Sequence, residues 1–300
     1  MLVAVVCALA AVCLTPEMAL AWTPGTHVFL GDALLRSLHL LPGGMAELLS
    51  AFPYDFLYGS IAADTSIAKK YAASGRHCHS WRVGLEIMER SRDDSLRAFS
   101  LGYLAHLAAD VIAHNYFVPR QLAVTSSTAA LGHSYWENRF EMHLGEGSAR
   151  RARELILLDH SRADAHLDRI LSPTIFSTPT NRRIFRGMVR VTDMESWQRI
   201  FHMASEHSRW DLPDPQVAAY LARSFDYIVD LYRRMDASEA WAFDPSGELR
   251  LRLAKRVRRE TLRISGEDAL LAEADRHFGM PDSALAYAGT LATPLLTRED

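Results

Sequence analysis

Cysteine is scarce in this chain. There are three in 300 residues, and two of them, Cys7 and Cys13, lie within the first 21. Cys78 then has no partner for an internal disulfide, so stability must come from a buried core, from metal, or from both. An excess of one charge is lacking too. The 33 Lys and Arg against 36 Asp and Glu leave a formal net charge of -3, which argues against a general nucleic-acid binder. No stretch alternates at period two over the length of a strand, and there is no internal repeat or low-complexity segment. The uncharged apolar run Val3 to Leu14 is too short to span a bilayer as a helix.

That run precedes Ala19-Leu20-Ala21, a small-x-small cleavage pattern. Residues 1–21 therefore read as an export signal, although no Lys or Arg precedes the run. The expectation is an exported protein, periplasmic or secreted, that begins at Trp22. An uncleaved amphiphilic anchor is the alternative.

What the chain has in abundance is helical periodicity. Helices are expected at about 27–39, 43–51, 81–93, 95–115, 131–146, 148–158, 192–208, 214–236, 248–264 and 267–278. Pro42-Gly43-Gly44, Pro53, Pro119, Gly145 to Gly147, Pro173, Pro179, Pro213, Pro245, Gly266 and Pro281 read as breakers. Residues 158–190 read as a polar, loop-rich connection packed over the first half. The simplest architecture is a single all-α domain over 22–300. The stretch 249–263 carries Arg250, Arg252, Lys255, Arg256, Arg258, Arg259 and Arg263. It reads as a solvated helix face balanced by the acidic run from Glu267, with an anionic lipid or nucleic-acid surface as the alternative.

The helix at 95–115 is apolar nearly all round, which predicts burial. Within it stand His106, Asp110 and His114, each four residues after the last. Successive members lie about 40° apart, so the three share a sector of about 80°. A buried carboxylate is costly unless it is paired or binds a metal. A second pair with the same spacing, His133 and Glu137, falls on the next expected helix. Two such helices side by side can hold metal ions between them. His39, His143, His160, His166, His202, His207 and His277 lack this context and read as ordinary hydrogen-bonded residues. Cys78 reads as a small buried thiol.

Further upstream come Trp22, His27, Gly59-x4-Asp64 and His79-Ser80-Trp81. Taken in order with His106, Asp110, His114, His133 and Glu137, they resemble the bacterial zinc-dependent phospholipases C. That superfamily is shared with the secreted zinc nucleases of fungi and plants. The resemblance covers roughly 22–140. It implies an all-α fold with a trinuclear zinc site between core helices. It also implies that Trp22, through its amino and carbonyl groups, holds one zinc with His27 and Asp110. Asp64, His79, His106 and Asp110 would hold a second, with Asp110 bridging, and His114, His133 and Glu137 a third. The link Thr23-Pro24-Gly25-Thr26 would turn the chain back, with Thr26 capping the following helix. His77 is an alternative to His79 or an outer partner of it. The chain departs from the family pattern in one place. The family has a longer interval after the Asp, often containing Pro, whereas Asp110 and His114 are four apart on what reads as uninterrupted helix.

The implied activity is phosphodiester hydrolysis, with Asp64 orienting or deprotonating the water. A phospholipase C would cut the glycerol–phosphate bond of a phospholipid during transient contact with a membrane surface. Phe52, Tyr54, Phe56, Tyr58, Tyr116 and Phe117 are candidates for an apolar lip, and equally for plain core. A zinc nuclease or nucleotidase is the runner-up. Against it stand the final Glu137 where nucleases carry Asp, the lack of cysteine pairs, and the absence of an aromatic-basic cluster beside the motifs. No specific nucleic-acid partner is therefore expected. A metal-binding protein without turnover is the third reading.

Overall fold

The computed structural model describes residues 22–66, 71–73, 76–125, 129–192, 208 and 210–296. The expected export signal and most of the expected helix at 192–208 lie outside these residues. Among the described residues there is no strand.

The chain runs through α1 (Pro24–Leu35), α2 (Gly43–Ala51), α3 (Pro53–Ala62), α4 (Trp81–Glu89) and α5 (Asp94–Ile112). A π-helical turn, Ala113–Phe117, leads into α6 (Val118–Thr125) and α7 (Ala129–Met142). Then follow α8 (Glu146–Leu157), α9 (Ser161–Asp168), α10 (Thr178–Thr192), α11 (Asp214–Arg234), α12 (Glu248–Ile264) and α13 (Leu270–Phe278).

The central element is α5. Asp93 caps it, its carboxylate accepting the Leu96 N–H at 3.1 Å, a cap worth about 1 kcal/mol. Every residue from Ala98 to Ile112 is buried, as its apolar circumference requires. The continuous helical stretch Asp94–Thr125 is long and apolar enough to cross a membrane, but 89% of its apolar window is buried inside the protein. It is the axis of the core. α3, α4 and α11 pack around it. α3 crosses it at backbone contact: a Cβ on Gly102 would lie 1.9 Å from the Phe56 carbonyl, and one on Gly59 1.9 Å from the Phe99 carbonyl. α11 is pinned to α5 by the Tyr232 hydroxyl, which donates to the Leu101 carbonyl at 2.5 Å.

Several expectations need correction. α3 begins at Pro53, a residue that reads in the sequence as a breaker. Pro at the first helical position lacks only an N–H that would be unpaired anyway, so it starts helices as readily as it ends them. Pro24 opens α1 in the same way, and Pro215 stands second in α11, still within the first turn where backbone N–H groups lack helical partners. The cap of α1 is Thr23, whose side chain accepts from the Thr26 N–H, and Thr26 lies inside the helix. Residues 158–190 are not loop-rich: α9 and α10 occupy most of them. Their polarity reflects packing by ion pairs. Buried Arg182 meets Asp168 at 2.7 Å and Asp164 at 3.3 Å. Asp164 in turn accepts the Tyr58 hydroxyl at 2.6 Å. Of the lip candidates, Phe56, Tyr58, Tyr116 and Phe117 are core, while Tyr54 is exposed and Phe52 partly buried.

The basic helix α12 divides its arginines. Arg252, Lys255, Arg256, Arg259 and Arg263 face solvent. Arg258 turns inward and donates to the Ala123 and Val124 carbonyls, neutralising orphan acceptors at the end of α6. Arg250 also turns inward, onto Tyr116 and Phe278.

Candidate metal centre

Eight of the sequence-selected side chains lie in the core where α1, α3, α5 and α7 meet. His27, Asp64, His79, His106, Asp110, His114, His133 and Glu137 are all buried, none more than 3% exposed. The interlocked glycines of α3 and α5 bring Asp64, on the 3-10 turn Ala63–Thr65 that ends α3, up to the His106 face of α5.

Asp110 is the hub. Its Oδ1 lies 3.3 Å from His27 Nε2. Its Oδ2 lies 3.1 Å from both His79 Nε2 and His106 Nε2, and 3.9 Å from His114 Nδ1. The two oxygens of one carboxylate thus face different sets of imidazoles. Asp64 Oδ1 sits 3.3 Å from His79 Nε2 and 3.9 Å from His106 Nε2. Further along, His133 Nε2 and Glu137 Oε1 approach to 2.7 Å, and the His114 and His133 rings meet edge to face with centroids 5.4 Å apart.

Partners outside the cluster fix the imidazoles. A carbonyl can only accept, so His106 Nδ1 at 2.8 Å from the Ser60 carbonyl carries the proton. His106 Nε2 then faces the centre. His114 Nδ1 lies 2.6 Å from the Pro245 carbonyl in the same manner. His79 turns Nδ1 toward Cys78 Sγ at 3.2 Å, and Nε2 inward. The Cys78 thiol therefore stands behind a ligand candidate. His77 accepts the His79 backbone N–H on its Nδ1 at 3.0 Å, which places it as a support to its neighbour.

This arrangement tests whether metal fits. His106 Nε2 and His79 Nε2 are 3.0 Å apart, with acceptor-only carboxylate oxygens beside them. Neither Asp110 oxygen, nor His27 Nε2, makes a hydrogen bond of ordinary geometry among the described residues. Carboxylate oxygens and imidazole nitrogens converging in a buried space are costly unless protons or a cation sit among them. Three groups have donor atoms within 4.8 Å of one another: His27 with Asp64 and His106, His79 with His106 and Asp110, and His114 with His133 and Glu137. All donors are N or O, which suits hydrolytic zinc. The first group differs from the partition implied by resemblance, which joins His27 to Asp110 and Trp22. His27 stands within reach of both carboxylates.

Electrostatics agree with a cationic centre. Burial pushes the Asp110 carboxyl up. The His106 imidazole, with the close approach of the His27 and His79 rings, outweighs it and holds Asp110 well below the usual carboxylate range. Burial, with the adjacent His106, lowers His27 below the ordinary histidine value, so its ring is neutral and able to ligate.

Trp22 is fully buried. Its indole stacks on Phe117 and tilts on Phe140, and its Nε1–H donates to the Ala109 carbonyl at 3.2 Å. Residue 22 is thereby fixed beside the residue that precedes Asp110.

The profile of the family described as zinc dependent phospholipase C matches residues 26–179, half of the chain. The chain belongs to this zinc-dependent phospholipase C family. No curated protein and no solved structure matches the chain. The family match includes every buried ligand candidate from His27 to Glu137. It leaves out Trp22 and everything after residue 179.

Two features of the centre have no counterpart in the residue pattern. The helix between Asp110 and Phe117 is not uninterrupted, since His114 sits on the π-helical turn Ala113–Phe117. Such turns are rare and occur often at functional sites. The second feature is the pair of supporting carbonyls, Ser60 and Pro245. A backbone acceptor carries no residue-type signature, so no motif could reveal it. Aromatic residues from the C-terminal half also reach this region. Trp81, two residues after His79, packs on Trp241 and donates to the Phe243 carbonyl at 2.9 Å, while Phe243 meets Tyr116 edge to face.

Proposed function

We propose that this protein is a zinc phospholipase C that hydrolyses the glycerol–phosphate bond of a phospholipid, releasing diacylglycerol and a phosphorylated head group. The observation that carries this reading is the Asp110 carboxylate. It is buried, held in the ionised form, and faced on both oxygens by imidazole nitrogens, with His106 and His79 engaged on their outer nitrogens by the Ser60 carbonyl and the Cys78 thiol. In this reading His27 and Asp110, with the main chain of Trp22, hold one zinc. Asp64, His79, His106 and Asp110 hold a second, and His114, His133 and Glu137 a third. Zinc in such a site supplies Lewis acidity toward phosphate oxygens and acidifies water at neutral pH.

The chain's own residues do the rest. Asp64 orients the attacking water and accepts its proton. The Ser60 and Pro245 carbonyls keep His106 and His114 in the tautomer that aims Nε2 inward. Burial of the whole set excludes competing water and strengthens every charge interaction in the site. The protein is exported by residues 1–21, matures at Trp22, and meets its phospholipid substrate in transient contact with a membrane surface.

The test is to export the protein on its own signal, purify it through a C-terminal tag, and measure zinc per chain by elemental analysis. Diacylglycerol release from phospholipid vesicles is then compared with cleavage of single-stranded DNA. The expected result is about three zinc ions per chain and lipid turnover. Zinc with DNA cleavage alone assigns the nuclease activity instead. Folded protein without zinc overturns both.

A further inference from the structure

The C-terminal part of the chain carries no ligand motif and lies outside the family match, yet one of its segments grips the third ligand group. Four contacts meet within a few residues. The Pro245 carbonyl receives His114 Nδ1 at 2.6 Å. The Asp244 carbonyl receives Asn115 Nδ2 at 2.9 Å, and the same amide also donates to the Val111 carbonyl at 2.9 Å. Arg250 Nε donates to the Asn115 carbonyl at 3.1 Å, and its guanidinium lies 5.6 Å from the centre of the Tyr116 ring. Gly247 packs with no side chain against His114 itself. A Cβ there would lie 2.4 Å from the His114 carbonyl oxygen and 2.5 Å from the His114 Cβ.

These contacts are concentrated where the helix needs them. A π turn leaves backbone groups out of α-helical register and costs stability unless its surroundings hold it. The carbonyl of Asn115, inside that turn, is taken by Arg250, and the Asn115 side chain ties the turn to Asp244. Gly247 has φ +56, a left-handed conformation that favours glycine. It is therefore selected twice, by conformation and by lack of room.

We infer that the segment Asp244–Arg250 is a positioning strap for the zinc group of His114, His133 and Glu137: it holds the π turn and fixes the His114 tautomer so that Nε2 alone is offered to metal. The inference rests on the zinc reading above. It makes the C-terminal half part of the metal centre instead of an appendage to it. Removal of an outer partner of a ligating histidine weakens metal binding about 10- to 100-fold.

The test is Gly247→Ala in the mature, zinc-loaded protein, with Gly266→Ala as control. Gly266 has φ +84 with nothing within 4 Å of its added Cβ, so that variant carries the backbone strain without the collision. Zinc per chain and the rate of zinc loss to a chromophoric chelator are read, together with far-UV circular dichroism. Gly247→Ala is expected to lose one zinc ion per chain at least about tenfold faster than the parent, with the other ions unaffected and Gly266→Ala matching the parent. Arg250→Met, read in the same way, decides the matter if Gly247→Ala does not fold. Folded Gly247→Ala, or in its place Arg250→Met, that keeps the parent's zinc count and release rate overturns the strap. A parent protein without zinc overturns the metal reading itself.

Discussion

The glycine crossing between α3 and α5 gives the most direct test of how the fold builds the site. Gly102→Ala would place a methyl group 1.9 Å from the Phe56 carbonyl oxygen and 2.8 Å from the Ser60 nitrogen. Both obstacles are backbone, so no side chain can swing aside. Ordinary contact begins near 3.4 Å, and the helices must part by roughly 1.5 Å or distort locally. Overpacking typically costs about 1–3 kcal/mol, and a backbone obstacle belongs at the upper end, about 3 kcal/mol. At roughly 2–4 °C per kcal/mol, Tm should fall by about 6–12 °C. The same movement carries the Ser60 carbonyl away from His106 Nδ1 and Asp64 away from the His106 face, so zinc binding should weaken together with stability. Differential scanning calorimetry and zinc analysis read the two effects. Gly44→Ala is the control, because its Cβ meets nothing within 4 Å, and alanine in an open helical position is neutral or slightly favourable. A Gly102→Ala protein that melts within about 1–2 °C of the parent and keeps its zinc would refute the claim that backbone contact at this crossing sets the site geometry.

Three further outcomes are expected. Asp64→Asn, compared with the parent at equal zinc content, should lose turnover by about 100-fold or more, the scale of a general base; full turnover with metals intact removes Asp64 from that role. Chelation should lower Tm by roughly 8–16 °C, taking about 4 kcal/mol for a site saturated a thousandfold above its Kd, and a chelated protein that melts like the parent would mean the buried donors are satisfied without metal. Asp226 is pushed above the usual carboxylate value by burial, despite accepting the Ala288 N–H at 2.7 Å. The folded state therefore favours its protonated form, and the contribution of this group is fully present below the unfolded pKa of about 4 and lost as pH rises through the higher folded value. Asp226→Asn should raise Tm at pH 7 and change little below pH of about 4, as thermal melts across pH will register.

Much of this candidate centre is legible in the sequence because the residues that could hold metal are side chains of distinctive type at helical spacing. His106, Asp110 and His114 on an all-round apolar helix read as buried and convergent from their spacing alone. The corrections share a physical cause, which is that backbone geometry leaves little trace in residue identity. Pro53 and Pro24 open helices although proline usually signals an end. The π turn at Ala113–Phe117 has no compositional mark. The polar look of α9 and α10 conceals helices held by Arg182 with Asp164 and Asp168, residues whose spacing on the two helices is a usable signal. The arginines of α12 read as a uniform solvated face, yet Arg250 and Arg258 point inward to backbone carbonyls that only the tertiary fold presents.

The π turn also bears on how much the length of this chain can change. A five-residue turn holds one residue more than an α-helix needs, so the helical stretch Asp94–Thr125 carries a spare residue close to the candidate ligands. Removing one residue there restores ordinary α-helical bonding and leaves the stretch from Val118 onward close to its present face relative to Asp110, because the bulge is where the extra residue is held. Adding residues enlarges a break that already exists. Elsewhere in the same helix, either change would shift the buried faces with nothing to absorb it. The turn after Asp110 is thus the place in this helix where a change of length disturbs the buried faces least.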